Sequence, residues 1–449
     1  MTSKDESVEK KNQSIIRNLS FIIKMKIYLI IPILCILFWA IISLIKDNFI
    51  LEAAADFPSF YYAGQNIFTN PEFIYSAGIV PRYRYLPCFA MIFAILSLFN
   101  YVTSAWIYFF ILLIIAFLAI IEFDKILKLQ NVNSKFNRFL ILIVISNGLR
   151  IMLNFDILQT KFIVLYLILV FIRREIEFKK SKEQTEKNLK FFFIQISILI
   201  FVIGLLPYIA FILIIYLFNN INLRRILSKS QLQKYLLVVV AFFIQNFMFI
   251  IVPPLFVGFL SGLSRSGYPL NLTPTDIITL RDNLLLPPNT ISALIIAFNI
   301  AVDFIVLSIF SIVLMFVVTL ILTLNKKLSI EEKFAYFFLL NLISNVYFDY
   351  EQSFVIFLPL IVILFINLKS YNSISNYIKQ NFFNLLGLLG VILLYFMPPI
   401  YLFYELIPIS INIPLALLII RHTFAYIIII LAFLMMKLIQ KNAIHLKKN

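Results

Sequence analysis

The sequence predicts an all-α, polytopic transmembrane protein, and three observations carry that prediction. The chain of 449 residues is 62% hydrophobic with a mean hydropathy of +0.98, far above what a water-soluble domain sustains. Apolar stretches approaching the ~20 residues that a helix needs to cross a hydrocarbon layer recur from end to end, and in that layer only a helix satisfies its own backbone polar groups. The Lys and Arg residues cluster between those stretches instead of forming one basic face, as loops on the cytoplasmic side require.

Taken in order, the leader 1–26 carries Lys4, Lys10, Lys11, Arg17, Lys24 and Lys26, which places it in the cytoplasm. The first apolar stretch, Ile27 to Ile45, is full length and lacks a small-residue cleavage site of the signal-peptide kind, so it reads as a retained span. The loop 46–85 then faces outward. Its mixed polar and aromatic residues predict a short interfacial helix over Asp56 to Phe68, with Pro, Gly and Asn marking turns around it.

Further apolar stretches cover 86–99, 104–122, 137–153 and 156–172, ahead of a charged, cytoplasmic run from Arg173 to Lys190. The stretch Phe191 to Phe218 is interrupted at Gly204 to Pro207, which predicts a tight hairpin of two short spans. Basic Asn219 to Lys234 follows on the cytoplasmic side, and a stretch at 235–257 leads to a second outer loop, 258–289, rich in Pro, Ser, Asn and Thr. Stretches at 291–324, 334–346, 353–368, 382–400 and 413–436 complete a single membrane domain, 27–438, before the basic cytoplasmic tail 439–449.

Two cytoplasmic termini demand an even number of crossings, whereas the stretches total about 13. The fault is expected between 86 and 136. The 86–99 stretch is short there, and the loop with Lys125, Lys128 and Lys135 prefers the inside. About 12 spans is therefore the expectation. No inverted repeat of the transporter kind is visible.

Several function classes are excluded. Cys35 and Cys88 lie in or beside apolar segments with no CxxC or Cys/His cluster, which supports neither a disulfide framework nor a zinc site. A formal net charge of +16 spread over loops fits topology and anionic lipid, not nucleic acid. No glycine-rich phosphate loop, dinucleotide fingerprint, Ser-His-Asp arrangement or HExxH is present, so a nucleotide sugar as direct donor lacks support, and no cofactor is expected.

The informative stretch begins at Ala55, Asp56, Phe57, Pro58, Ser59, Phe60, Tyr61, Tyr62 and Ala63, continues through Asn70, Pro71 and Tyr75, and ends at Arg82, Tyr83, Arg84, Tyr85, Leu86 and Pro87. It resembles the first outer loop of glycosyltransferase family 87, polyprenol-phosphate-mannose-dependent mannosyltransferases of the GT-C class. That loop reads roughly D-x-x-x-Y-Y-x-A, then an N-P-Y-like element, then Y-x-P opening the next span. Asp56, Tyr61 and Ala63 fit the spacing, with Phe60 in the first Tyr position, and Tyr85-Leu86-Pro87 fits as well. Gln159 is kept from a G-Q-x-N element in which Lys161 replaces Asn, and Pro207 is kept from K-x-x-P. Where the family has an outer-face histidine, this chain offers Asp349, Tyr350 and Glu351.

The resemblance implies a GT-C-like fold in the cell membrane with its active face outside. It implies a polyprenyl-phosphate-linked hexose as donor, a glycolipid or envelope glycan as acceptor, and an inverting transfer. A hydroxyl acceptor needs a base, and Asp56 is the first acid clear of the span end, beyond Asp47 and Glu52; an N-cap on the helix starting at Phe57 is its other reading. Arg82 and Arg84 present planar forks suited to phosphate, or anchor the loop to headgroups.

Arg265 and Arg281 could serve the same end in the second outer loop, where Asp276 and Asp282 could orient an acceptor hydroxyl; solvated loop charge is the plainer reading of all four. Gln159 and Lys161, on a short outside turn, reach sugar hydroxyls or phosphate, or form a plain turn. Asp349 and Glu351 are paired carboxylates for a sugar or a divalent ion, or loop acidity. Tyr61, Tyr62, Tyr75, Tyr83 and Tyr85 stack on sugar rings or belong to the aromatic belt of a membrane surface. Arg421 and His422 inside the last stretch, with Asp303, would instead line the path of a transporter or flippase for an amphiphilic solute.

Overall fold

The computed structural model describes residues 28–45, 56–75, 83, 85–132, 135–180, 188–220, 228–264, 271–272, 302–325, 328–344 and parts of 355–363. Arg82, Arg84, Arg265, Asp276, Arg281, Asp282, Asp349, Glu351, Arg421 and His422 lie outside the described residues, as do the leader, the tail and the stretches 382–400 and 413–436. The described chain is helical, as the sequence predicts, apart from one two-residue antiparallel pairing of β1 (Asn271–Leu272) with β2 (Val302–Asp303). Among the described residues two helices are long and apolar enough to cross a membrane, α1 (Tyr28–Ile45) and α4 (Tyr101–Leu129).

Helix α4, roughly 44 Å long at 1.5 Å per residue, is the axis against which the rest is oriented. Asn100 caps its start by accepting from the Thr103 amide at 2.9 Å. Its end turns over at Asn131, whose φ of 61° lets the Val132 amide return to Leu127 O at 3.0 Å, a left-handed C-terminal cap that Asn tolerates. Helix α1 runs antiparallel to α4, since the Tyr28 hydroxyl donates to Asp124 at 2.8 Å near the far end of α4. Trp39 Nε1, further along the same helix, donates to Asn147 at 2.7 Å.

The stretch expected as one span at 137–153 is two helices, α5 (Lys135–Ser146) and α6 (Leu149–Asp156), parted at Asn147 and Gly148. The Asn147 side chain is taken up by Trp39. Helix α7 (Lys161–Lys180) lies parallel to α4. Phe155 bridges the third turn of α4 and the first turn of α7, meeting Phe109 and Phe162 at centroid distances of 5.5 and 4.8 Å, and Arg173 reaches Glu122 further along. Helix α7 thus extends eight residues past the predicted span into the charged run. Arg173 pairs there with Glu177 at 2.7 Å, an i, i+4 pair that supports helix where loop was expected.

The predicted hairpin is present: α8 (Asn188–Leu205) meets a 3-10 turn at Pro207–Ile209 and returns as α9 (Phe211–Asn220). The 235–257 stretch is three pieces, α10 (Lys229–Asn246), α11 (Met248–Ile251) and α12 (Pro254–Ser264), the last two parted at Pro253 and Pro254. Helices α13 (Phe304–Leu324) and α14 (Ile330–Ser344) form an antiparallel pair. A reciprocal capping box opens α14, the Ser329 amide donating to Glu332 at 2.9 Å and the Glu332 amide to Ser329 Oγ at 3.3 Å. Phe334 of α14 stacks on Phe171 of α7 at 5.1 Å.

The end of α4 away from Asn100 is a clamp of ion pairs. Asp124, 2% exposed at its side chain, holds Lys128 at 2.6 Å and buried Arg138 at 3.1 Å. Glu122 holds Lys125 and Arg173, and Lys179 reaches Glu331 at 3.0 Å. Outward-pointing faces of α1, α4, α10 and α13 are apolar, with Phe38, Phe110, Phe243 and Phe316 each about half exposed.

Candidate functional site

The other end of α4 gathers the residues singled out in the sequence. The predicted interfacial helix is α2 (Phe57–Asn66), with Pro58 in its first turn and Asp56 at the N-cap position. Its inward face is Phe57, Phe60, Ala63 and Gly64, and these press on α3 (Pro87–Leu96). Gly64 is indispensable to that contact, because a Cβ there would stand 2.5 Å from the Phe93 carbonyl carbon.

Asp56 makes no capping hydrogen bond with its side chain. It accepts instead through its backbone carbonyl, from Ser59 Oγ at 2.7 Å. The next residue, Phe57, stacks on Tyr108 of α4 at 5.8 Å, and the Asp56 carboxylate and the Tyr85 phenol both act on Tyr108 electrostatically. The Tyr108 hydroxyl is buried and has no hydrogen-bond partner. Asp56, Tyr85 and Tyr108 therefore form one neighbourhood.

The remaining tyrosines are placed by their hydroxyls. Tyr61 donates to Phe99 O at 2.9 Å, Tyr75 to Tyr85 O at 2.7 Å and Tyr83 to Leu86 O at 3.0 Å, so each staples the loop to backbone. Burial pushes the Tyr75 and Tyr83 phenols well above their ordinary range, which keeps both as donors. Tyr62 is exposed, its ring edge-on to Tyr61 at 5.6 Å. The Leu86 amide donates to Gly204 O at 3.1 Å, tying the loop to the top of the α8–α9 hairpin.

On the neighbouring side of α4 lies the α6–α7 turn. Tyr108 and Phe109 are successive residues, one against Phe57 and the other against Phe155, so Asp56 and Asp156 each sit beside a ring packed at the same level of α4. The turn closes by a left-handed cap at Leu158, φ 53°; the Gln159 amide donates to Asn154 O at 3.0 Å and the Leu158 amide to Phe155 O at 3.2 Å. A side chain other than Gly or Asn in that region costs roughly 1–2 kcal/mol, here offset by complete burial of Leu158.

Gln159 and Lys161 are 3% and 5% exposed, and with them Asn154, Asp156 and Thr160 are buried too. Gln159 Oε1 and Thr160 Oγ1 have no hydrogen-bond partner. Sequence reasoning passed over Tyr108, Asn154, Asp156 and Thr160. Polar residues amid apolar ones could have marked Asn154 and Asp156, but nothing sets Tyr108 apart from the chain's other tyrosines. Among the described residues no group of three or more His, Cys, Asp or Glu is gathered as a metal site would need.

No protein-family model, curated protein or solved structure matches the chain.

Proposed function

We propose that the chain is a multi-span membrane glycosyltransferase of the GT-C kind. It moves a hexose, mannose by its resemblance to family 87, from a polyprenyl phosphate to a hydroxyl of a glycolipid or envelope glycan. The observation that supports this best is the gathering of Asp56, Tyr85, Tyr108 and the buried polar turn 154–161 at one end of α4, opposite the cation-rich clamp.

The membrane reading rests on the outward apolar faces of α1, α4, α10 and α13, larger than a water-facing monomer leaves uncovered. With the clamp on the cytoplasmic side, α1, α5–α6, α8, α10 and α14 run outward and α4, α7, α9 and α13 run inward. Helix α3 joins the outer layer without crossing, its start tied to Gly204 at the top of the hairpin and its end to Ser104 in the first turn of α4. Nine passes and the apolar stretches at 353–368, 382–400 and 413–436 make about 12, which returns the tail to the cytoplasm.

In the proposed reaction Asp56 takes the proton of the acceptor hydroxyl while that oxygen bonds to the anomeric carbon. The bond from carbon to phosphate oxygen breaks, and the polyprenyl phosphate leaves with the electron pair, inverting the centre. Arg82 or Arg84 would hold the phosphate. The test is transfer of radiolabelled mannose from synthetic polyprenyl phosphomannose to endogenous lipid in membranes holding equal amounts of native protein and Asp56→Asn. Transfer abolished by the substitution supports enzyme and base together.

A second reading, a transporter or flippase for a lipid-linked solute, is favoured by the interruption of α5–α6 at Asn147–Gly148, since discontinuous helices frame many transport sites. Native membranes that transfer no polyprenyl-linked sugar but equilibrate one across the bilayer would put it first.

A further inference from the structure

We infer that the α6–α7 turn is a sugar pocket, in which Gln159 and Thr160 hydrogen-bond the hydroxyls of a neutral hexose with Asn154, Asp156 and Lys161 beside them. This deepens the transferase reading and rests on it for the identity of the ring as the donor's sugar.

A buried polar atom left without a partner is destabilising, and this turn carries two on successive residues, Gln159 Oε1 and Thr160 Oγ1. It also holds a left-handed Leu158 when Gly would relieve the strain. Features of that kind persist where a ligand completes them.

The chemistry of the set selects the ligand. An amide oxygen only accepts, so its missing partner must be a donor. A phosphate dianion offers none, whereas each sugar hydroxyl donates and accepts. With one acid, Asp156, and one base, Lys161, the turn 154–161 carries no formal net charge to draw an anion. Phe155 and Phe162, rings 4.8 Å apart, wall the turn with apolar surface. Low exposure keeps water from the ring, which strengthens hydrogen bonds and protects a glycosyl donor from hydrolysis. Because these groups are buried, a hexose would enter only if α6, bounded by the Asn147–Gly148 break and the Leu158 turn, moved aside.

The experiment uses full-length protein in lipid nanodiscs, the variants Gln159→Leu and Thr160→Val, and methyl α-mannoside or inorganic phosphate as probes. Without probe Thr160→Val should melt at or above the native midpoint, because it replaces an unpartnered hydroxyl by a methyl of similar size. The glycoside should raise the native midpoint and leave the variants unmoved, and phosphate should move none. In the transfer assay KM for the lipid-linked sugar should rise about tenfold with kcat less affected.

A glycoside shift that survives in both variants, a Thr160→Val protein that melts several degrees lower, or a shift with phosphate in place of the glycoside would each overturn the pocket. A variant that transfers with native KM sinks the pocket and spares the transferase. Native protein that transfers nothing, yet loses its glycoside shift in the variants, sinks the transferase and spares the pocket.

Discussion

At the residue scale Asp56 separates two roles that its sequence position left open. Because its side chain makes no capping bond, the stability normally attributed to an Asp cap is not at stake. Asp56→Asn should therefore leave the melting midpoint within about 1 °C while lowering transfer roughly 10²- to 10⁴-fold; a large loss of stability would return it to a structural role. Asp124 is the contrary case. Removing it strands buried Arg138, so Asp124→Ala should cost about 3–5 kcal/mol by denaturant unfolding. Lys125→Ala, at a half-exposed partner of Glu122, should cost under about 0.5 kcal/mol. Asp56 was legible as the acid beyond the first span. Tyr108 was not, because only the stacking of α2 on α4 brings its hydroxyl near that acid.

At the scale of elements the tightest constraint is between α2 and α3. The Gly64 Cβ position lies within 2.8 Å of three backbone atoms of Phe93 and Ala94, and backbone cannot swing aside as a flexible side chain can. Gly64→Ala should part the two helices, lower stability by about 1–3 kcal/mol and, by moving Asp56 away from Tyr85 and Tyr108, reduce transfer with it. A variant that melts and transfers like the native chain would show the approach to be looser. The left-handed caps at Asn131 and Leu158 differ in the same physical terms: Asn131→Gly should be neutral within about 0.5 kcal/mol, whereas Leu158→Gly trades strain relief for a lost buried side chain worth about 1.5–3 kcal/mol.

For the whole molecule the direction of each helix is the testable quantity. Thr69, exposed beyond α2, and Lys125, exposed in the clamp, lie at opposite ends of α4. In intact cells an impermeant maleimide should label Thr69→Cys, and it should reach Lys125→Cys only after permeabilisation. Burial pushes the native Cys88 thiol up to about 12, so it remains a thiol near neutral pH and adds little background, since the thiolate is the reactive form. Labelling of both sites from one side would refute the arrangement of passes.

Composition, apolar run length and prolines by themselves determined that the chain is all-α, that a short helix follows Asp56, and that the chain doubles back at Pro207. Each is a local property, readable from neighbours in sequence. Tertiary structure alone decided that the short 86–99 stretch lies against α2 and that 137–153 breaks at Asn147 to meet Trp39. It also decided that the charged run after Arg173 begins as helix. The same holds for the site: Gln159 and Lys161 were visible as polar residues on a turn, but their burial beside Thr160, level with Asp56 across α4, depends on how α4, α6 and α7 pack. Burial and proximity are properties of the packed chain, and hydropathy along a line carries neither.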